Sequence, residues 1–417
     1  MILAGVSISL LLDENGIIKK SKDARREYGQ AKANEQEQMD NAEDWIDEAV
    51  TGKVTLAKVP VGTKASKNGT INGEVGNSNN PTIPKNYIPI DTATSTWGDG
   101  STAPSQDSVD HGLVIKDEKN NEWVWVPVDK ATLATMYEES SDEKTLCGTT
   151  GETAVKTKLY SKSITIGTDS NKTTMSRTTP GKTSDFREPD LVTSFDVQDT
   201  YYKTILGETG TKEQLAQLFV DEYKAMIESV SKYGGFYIGR YELSDAGVQK
   251  DKATLTGMNW YNLYNACRNS KLQASDKVKT QMIWGCQWDV TMNWLISSGA
   301  KTSDEVNKNS SSWGNYYGTS VKADDGTTEI KANGTNAELN TGKTTFTMAN
   351  NIYDLAGNCY EWTQEAYGTN GRAHRGGNCV SNGSFSPASG RFHFYPDRDT
   401  GGPLRFSSHF NNKVIRV

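Results

Sequence analysis

The chain has 417 residues, 35% of them apolar, and a formal net charge of -7. That length holds one large core or two to three domains, and the acidic balance argues against a nucleic-acid partner, because no strongly basic face offsets phosphate repulsion. Its five cysteines, Cys147, Cys267, Cys286, Cys359 and Cys379, are widely spaced without a CxxC, which disfavours both a disulfide framework and structural zinc.

Residues 1–12, MILAGVSISLLL, are apolar apart from two serines. A bilayer span takes about 20 residues, and neither a basic stretch before them nor a small-x-small site after them marks a secretory signal. A charged run of helix formers follows to Val50. Residues 1–50 therefore read as one long helix, greasy first and polar beyond, with a break near Asp13–Gly16. The stretch Ile2–Ala24, with LAGVSI leading into DENGIIKK, resembles the N-terminal helix of type IV pilin-like proteins of Gram-positive bacteria. The upstream cleavage motif and the first half of the hydrophobic segment of that pattern are missing. The resemblance implies a bacterial surface protein, membrane-anchored or pilus-associated, touching membrane only through the missing segment and accompanied by pilus subunits. The plainer alternative is a short buried helix opening a soluble protein.

From 51 to 110 the chain is poor in large apolar residues and dense in Gly, Asn, Pro, Ser and Thr. It reads as a small β-rich stalk or linker with turns at Asn-Gly, or as disordered chain. The segment Asn120–Asp129 is the first strong strand. Trp123, Trp125 and Pro127 share one face and Val124, Val126 and Val128 the other, so both faces should be covered. A polar insertion is expected over 140–205. Thr211 and Gln214 then make a capping box, and Leu215, Leu218, Phe219, Glu222, Met226 and Val230 follow helical spacing. Gly234–Glu242 alternates as a strand, Trp260, Leu263, Tyr264 and Cys267 define a second helix, and QMIWGCQWDVTMNWL reads as core. A second polar insertion is expected over 300–345.

Asn351–Thr363, NIYDLAGNCYEWT, is followed by His374-Arg375-Gly376-Gly377. This pair resembles the end of the formylglycine-generating-enzyme-like branch of the C-type lectin fold, where N-x-x-D-x-x-G-N-V-x-E-W precedes R-G-G. Gly234–Glu242 resembles the opening strand of that domain. Trp260–Asn269 and QMIWGCQWD resemble its two core helices, with Gln287-Trp288-Asp289 a variant of the usual E-W-E. The likeness covers about residues 111–417 and implies an α+β fold with large insertions. Loops of such a fold are held by buried tryptophans and side-chain hydrogen bonds. Asp354, Asn358, Glu361, Trp362, Arg375, Gly376 and Gly377 are therefore assigned to scaffold. The same carboxylates could instead hold calcium, although no compact EF-hand-like run of ligands is present. No other cofactor or metal is implied. The oxidases of that branch use two closely spaced cysteines after Gly-Gly. This loop carries only Cys379, with Ser386 near the expected first cysteine. The four histidines, His111, His374, His393 and His409, lack metal-ligand spacing. Catalysis is not expected.

The frame G-G-N-x-x-x-x-G-S-x-x-P-A-S-x-R, Gly376 to Arg391, resembles the variable region of proteins diversified by retroelements. In those, an error-prone reverse transcriptase substitutes residues at fixed sites while the lectin-like fold stays constant. The resemblance implies frame positions at Gly376, Gly377, Gly383, Ser384, Pro387, Ala388, Ser389, Arg391, Pro396 and Arg405. It implies ligand-binding positions at Asn378, Val380, Ser381, Phe385, Ser386, Phe392, His393, Phe394, Tyr395, Asp397, Arg398, Asp399 and Thr400. Phe385, Phe392, Phe394, Tyr395, Phe406 and Phe410 give this stretch aromatic anchors in a polar surround, which suits a protein-binding surface. One or two of them, by the alternation of Phe392 and Phe394, belong to the core. The expected function is non-covalent recognition of a protein on another cell, a phage or a host. A fixed carbohydrate-binding lectin and a purely structural pilus subunit are the rivals.

Overall fold

Alternation in Glu122–Pro127 organises the first sheet. Trp123, Val124, Trp125 and Val126 are all buried, as expected of a strand with apolar residues on both faces. It takes a central place in an antiparallel six-stranded sheet, in the order Thr280–Met282, Val414–Arg416, Gly235–Gly239, Glu122–Pro127, Val114–Asp117 and Tyr87–Ile90. This computed structural model describes residues 61–63, 66–67, 78, 81–84, 87–90, 111–129, 132–133, 139–148, 154–160, 186–268, 272, 278–398, 410–411 and 414–416. The helix expected over 1–50 lies outside these residues.

The valine face of the central strand joins a core cluster with Tyr223, Met226, Ile227 and Val230 of the helix Lys212–Tyr233. That helix opens with the expected capping box: the Gln214 N–H donates to Thr211 Oγ1 at 3.2 Å, and the Thr211 N–H donates to Gln214 Oε1 at 3.0 Å. Gly234 closes it in the left-handed conformation, φ 77°. Each large side chain buried there contributes about 1.5–3 kcal/mol. On the tryptophan face, the Trp125 indole N–H donates to the Ser78 carbonyl at 3.0 Å, and the Tyr237 hydroxyl donates to that of Thr82 at 3.1 Å. Ser78 and Thr82 thus pack on this sheet and Tyr87–Ile90 supplies its edge strand, all three within the stretch 51–110 that the sequence reads as a β-rich stalk or linker.

The second sheet is built on Tyr360–Tyr367, which pairs with Gly371–Arg375. That strand pairs in turn with Arg391–Phe394. Phe410–Asn411 joins Tyr360–Tyr367 in parallel, and Phe186–Arg187 joins it antiparallel. The helix Gly285–Ser297 carries Trp288 and Asp289 into the interior beneath this sheet. Its first turn is capped by a distant carboxylate, Glu188, which accepts the Gly285 and Cys286 N–H groups at 2.9 Å each. QMIWGCQWD is therefore a strand, Thr280–Met282, followed by this helix, and only the latter half matches the helical expectation.

Both expected insertions carry core. Over 140–205 lie the hairpin strands Glu139–Cys147 and Val155–Tyr160, then Arg187, Glu188, Asp190 and Asp196, all buried. Over 300–345 lie buried Trp313, Asn315 and Tyr316. Polar composition misled here because paired charges and amides are buried alongside a few aromatic and aliphatic side chains. Among the described residues, no helix is long and apolar enough to cross a membrane.

Candidate ligand-binding surface

The register of Gly371–Arg375 against Arg391–Phe394 sets Arg375 directly across from Arg391. Two guanidinium groups side by side, both with fully buried side chains, would repel strongly in a low-dielectric interior. Asp289 prevents this. One of its oxygens accepts from Arg375 at 2.7 Å and the other accepts from Arg391. Glu365 accepts a further bond from Arg391 Nε at 3.0 Å, so two arginines face two carboxylates. Burial and the Arg391 charge hold the Arg375 guanidinium below its ordinary pKa. Arg375 also donates to the carbonyls of Gly390 and Ser389, at 2.9 and 3.0 Å, and so ties down the end of the loop.

The loop's start is fixed by close approach. Gly376 and Gly377 sit at φ 83° and 79°. A Cβ on Gly376 would lie 2.3 Å from Glu361 Oε2, and one on Gly377 would lie 2.5 Å from the Ser386 carbonyl oxygen. The Gly376 carbonyl accepts from Tyr316 Oη and the Gly357 N–H, both at 2.8 Å. Asp354 and Asn358 brace neighbouring turns at positive φ. Asp354 accepts from the Gly342 N–H and the Thr347 hydroxyl, at 2.7 Å each. Asn358 accepts from Asn315 Nδ2 at 2.8 Å and donates to Glu242 at 2.5 Å. Trp362 is buried against the His374 ring, centroids 5.7 Å apart.

The middle of the loop rests on the segment 303–317. The Ser310 N–H donates to the Gly383 carbonyl at 3.1 Å, and the Ala388 N–H to Ser310 Oγ at 2.9 Å. Ser389 N–H donates to the Val306 carbonyl at 3.1 Å, and the Trp288 indole to that of Ala388 at 3.0 Å. Pro387, Ala388, Ser389 and Gly390 are consequently buried.

Above this frame the side chains diverge. Phe385 is 63% exposed and Tyr395 41%. His393 and Arg398 are exposed; Val380, Ser381, Phe392, Phe394 and Asp397 are half-buried. Phe385 stacks on Phe392, centroids 5.7 Å apart, and Phe392 on the buried His374 at 5.9 Å. His393 lies flat on Tyr367, 3.8 Å between centroids and 14° between planes. Phe394 contacts Tyr395 at 5.9 Å, and Tyr395 contacts Phe195 at 6.1 Å. Neither Phe392 nor Phe394 enters the core as alternation had implied: both are half-buried, and Arg391 is the buried residue of that strand.

Two residues expected on the binding surface lie beneath it: Asn378 and Ser386 are buried. Ser386 packs under the Gly-Gly turn within 3.3 Å of the Tyr360 hydroxyl, and neither side-chain amide atom of Asn378 has a hydrogen-bond partner among the described residues. Asp399, Thr400 and Arg405 lie outside the described residues, as does Phe406. Sequence reasoning missed Tyr317, 47% exposed, whose N–H donates to the Ser381 carbonyl at 3.0 Å. It also missed Asp289 and Glu365 as the counter-charges, and Phe195 at the far end of the aromatic row. The Asp in Gln287-Trp288-Asp289 was the available signal for the first of these.

Cys379 and His374 are both held in their neutral forms. Cys379 is buried, and burial pushes its thiol up to about 12, away from the reactive thiolate. Burial, with the His393 and Arg375 charges, pulls His374 down to about 3. It therefore stays neutral inside the stack. Among the described residues, no group of three or more His, Cys, Asp or Glu is placed to hold a metal ion.

No protein-family model matches the chain, and no curated protein matches it. Among solved structures, variable protein 1 of Treponema denticola aligns with 13% identity and a TM-score of 0.26, over 44% of this chain and 84% of that one.

Proposed function

We propose that this chain is a non-catalytic binding protein of the bacterial surface, with a C-type lectin-like head of the kind diversified by retroelements. On this reading residues 376–410 carry a replaceable recognition surface for a protein ligand. Val380, Ser381, Phe385, Phe392, His393, Phe394, Tyr395, Asp397 and Arg398 are its described display positions. Asp399 and Thr400 remain assigned to it, and Asn378 and Ser386 act from below by shaping the loop. Gly376, Gly377, Gly383, Arg375 and Arg391, with Asp354, Asn358, Glu361 and Trp362 behind them, are the constant frame, to which Arg405 is also assigned. The pilin-like N-terminus would tie the head to the membrane or a pilus.

One observation carries the reading. Among the described residues, the large hydrophobic side chains that stand exposed are Tyr317, Phe385 and Tyr395. Two belong to the loop and the third is hydrogen-bonded to it. Exposed aromatics on and beside one loop mark an interaction site, and such anchors supply most of the energy of protein recognition, at about 2 kcal/mol or more each.

Sequencing the last 150 or so bases of the gene across many cells of one strain, together with the flanking locus, tests the proposal. Substitutions confined to the display codons and matched to adenines in a nearby near-copy are expected. A uniform 3′ end without such a copy would overturn diversification and favour a fixed-ligand lectin or a pilus subunit.

A further inference from the structure

Resting on the reading of this face as a binding surface, we infer that Phe195, Tyr201, Tyr395 and Asp397 form a subsite for a cationic side chain, a lysine or arginine exposed on the bound protein. Three rings meet here. Phe195 stands between the other two, 5.8 Å from Tyr201 and 6.1 Å from Tyr395, with its plane inclined 69° and 58° to theirs. Tyr201 has one face covered, stacked at 4.7 Å on the buried Tyr261. Phe195 and Tyr201 are half-buried and Tyr395 is exposed, so ring surface remains open to solvent. Rings inclined to one another offer a cation several π faces within about 6 Å, each worth about 0.5–2 kcal/mol as desolvation increases.

Asp397 adds the counter-charge. It occupies the turn closed by the Arg398 N–H on the Tyr395 carbonyl, 3.3 Å, and the preceding Pro396 carbonyl is pinned by the Trp260 N–H at 3.0 Å. Its Oδ1 is sealed from solvent and has no hydrogen-bond partner among the described residues, so an incoming cation meets the charge of this half-buried carboxylate rather than that oxygen itself. Burial first, and then the Asp397 charge, hold the Tyr201 phenol above its ordinary pKa, and Asp397 follows Tyr395 by two residues in the same turn. Beneath, the Arg372 charge is cancelled by Asp196, a pair with both side chains fully buried, so no positive charge repels an incoming cation from below. Tyr395 already carries a cation on one side, the Arg398 guanidinium, 6.0 Å from the ring centroid. That arrangement shows the ring's fitness for the partner group.

The test uses the full chain with small probes: the N-acetyl methylamides of lysine and arginine, and that of norleucine as the uncharged control. Aromatic NMR signals of Tyr201 and Tyr395 should shift saturably with both cations, with a Kd on the order of 10 mM, and not with norleucine. Asp397→Asn should weaken the cations by about tenfold or more. Lys343→Ala, which removes an exposed charge paired with Asp251, should leave them unchanged, and Arg398→Ala should tighten them. Equal binding of norleucine, no change on Asp397→Asn, binding seen only after Arg398→Ala, or no saturable shift would each overturn the subsite. These results are independent of the gene-sequencing outcome. Cations bound by a chain with an invariant 3′ end would sink diversification alone, and diversified codons without cation binding would sink the subsite alone.

Discussion

Replacing Asp289 with alanine removes the one carboxylate shared by Arg375 and Arg391. Both guanidinium groups belong to side chains 0% exposed, and Asp289 is 2% exposed, so water cannot substitute for the lost oxygens. Glu365 would be left to neutralise two cations that face each other across adjacent strands. Breaking a buried pair in this way costs about 3–5 kcal/mol, a large share of the roughly 5–15 kcal/mol that holds a typical domain. Thermal melting followed by circular dichroism should show a drop of roughly 6–20 °C, from about 2–4 °C per kcal/mol. Lys343→Ala is the control. Its partner Asp251 is 3.0 Å away, but both side chains are nearly half exposed, and such a pair is worth about 0–1 kcal/mol. Adding Arg391→Met to Asp289→Ala should recover part of the loss, because one uncompensated charge goes with it. Should Asp289→Ala melt no lower than Lys343→Ala, the charge frame is not what holds the loop, and the argument fails.

His374 gives a pH signature. Its folded pKa, about 3, lies below the ordinary 6.5, so the unfolded chain binds the proton first. Stability is complete above 6.5 and declines as pH falls from 6.5 toward 3, by about 1.4 kcal/mol per pH unit. His374→Phe should remove about 2 kcal/mol of the loss seen between pH 6.5 and 5 in urea titrations. Parallel pH curves for the two proteins would show that His374 is not held neutral by burial. Asn378→Ala should change stability by less than about 1 kcal/mol, since the amide it deletes makes no hydrogen bond among the described residues; a loss above 2 kcal/mol in the same titration would contradict this. Gly383→Ala should cost about 1–3 kcal/mol by overpacking, because its Cβ would fall 2.6 Å from the Ser311 backbone nitrogen. An unchanged urea midpoint would mean that the loop does not rest on that segment as described.

Much of this head was legible before its structure. Thr211 and Gln214 announced a helix start because a capping box is local chemistry, satisfied within four residues. Trp123 to Val128 announced a doubly covered strand because period two survives any tertiary context. The alternation at Phe392 and Phe394 misled, since spacing gives the face but not the depth: Arg391, polar and yet buried, took the inner side. Asn378 and Ser386 misled for the converse reason. Variable-looking residue types between glycines resemble surface, but a loop crossing over its own turn must bury some of them. The polar segments at 140–205 and 300–345 read as insertions because charged and amide groups count as exposed until their partners are known. Asp196 and Asn315 are buried through pairing with Arg372 and Asn358, far away in sequence, and no local pattern records such partners. The N-terminal helix lies outside the described residues.

The central claim is that a constant frame and a replaceable surface coexist within one short stretch. It is tested most directly by saturation substitution of every residue from 376 to 398, scoring the folded fraction by protease resistance on a display host. Broad tolerance is expected at Val380, Ser381, Phe385, His393, Tyr395 and Arg398, and rejection of most substitutions at Gly376, Gly377, Gly383, Ala388 and Arg391. Uniform tolerance across both groups, or rejection at Phe385 and Tyr395 as severe as at the paired glycines, would contradict it.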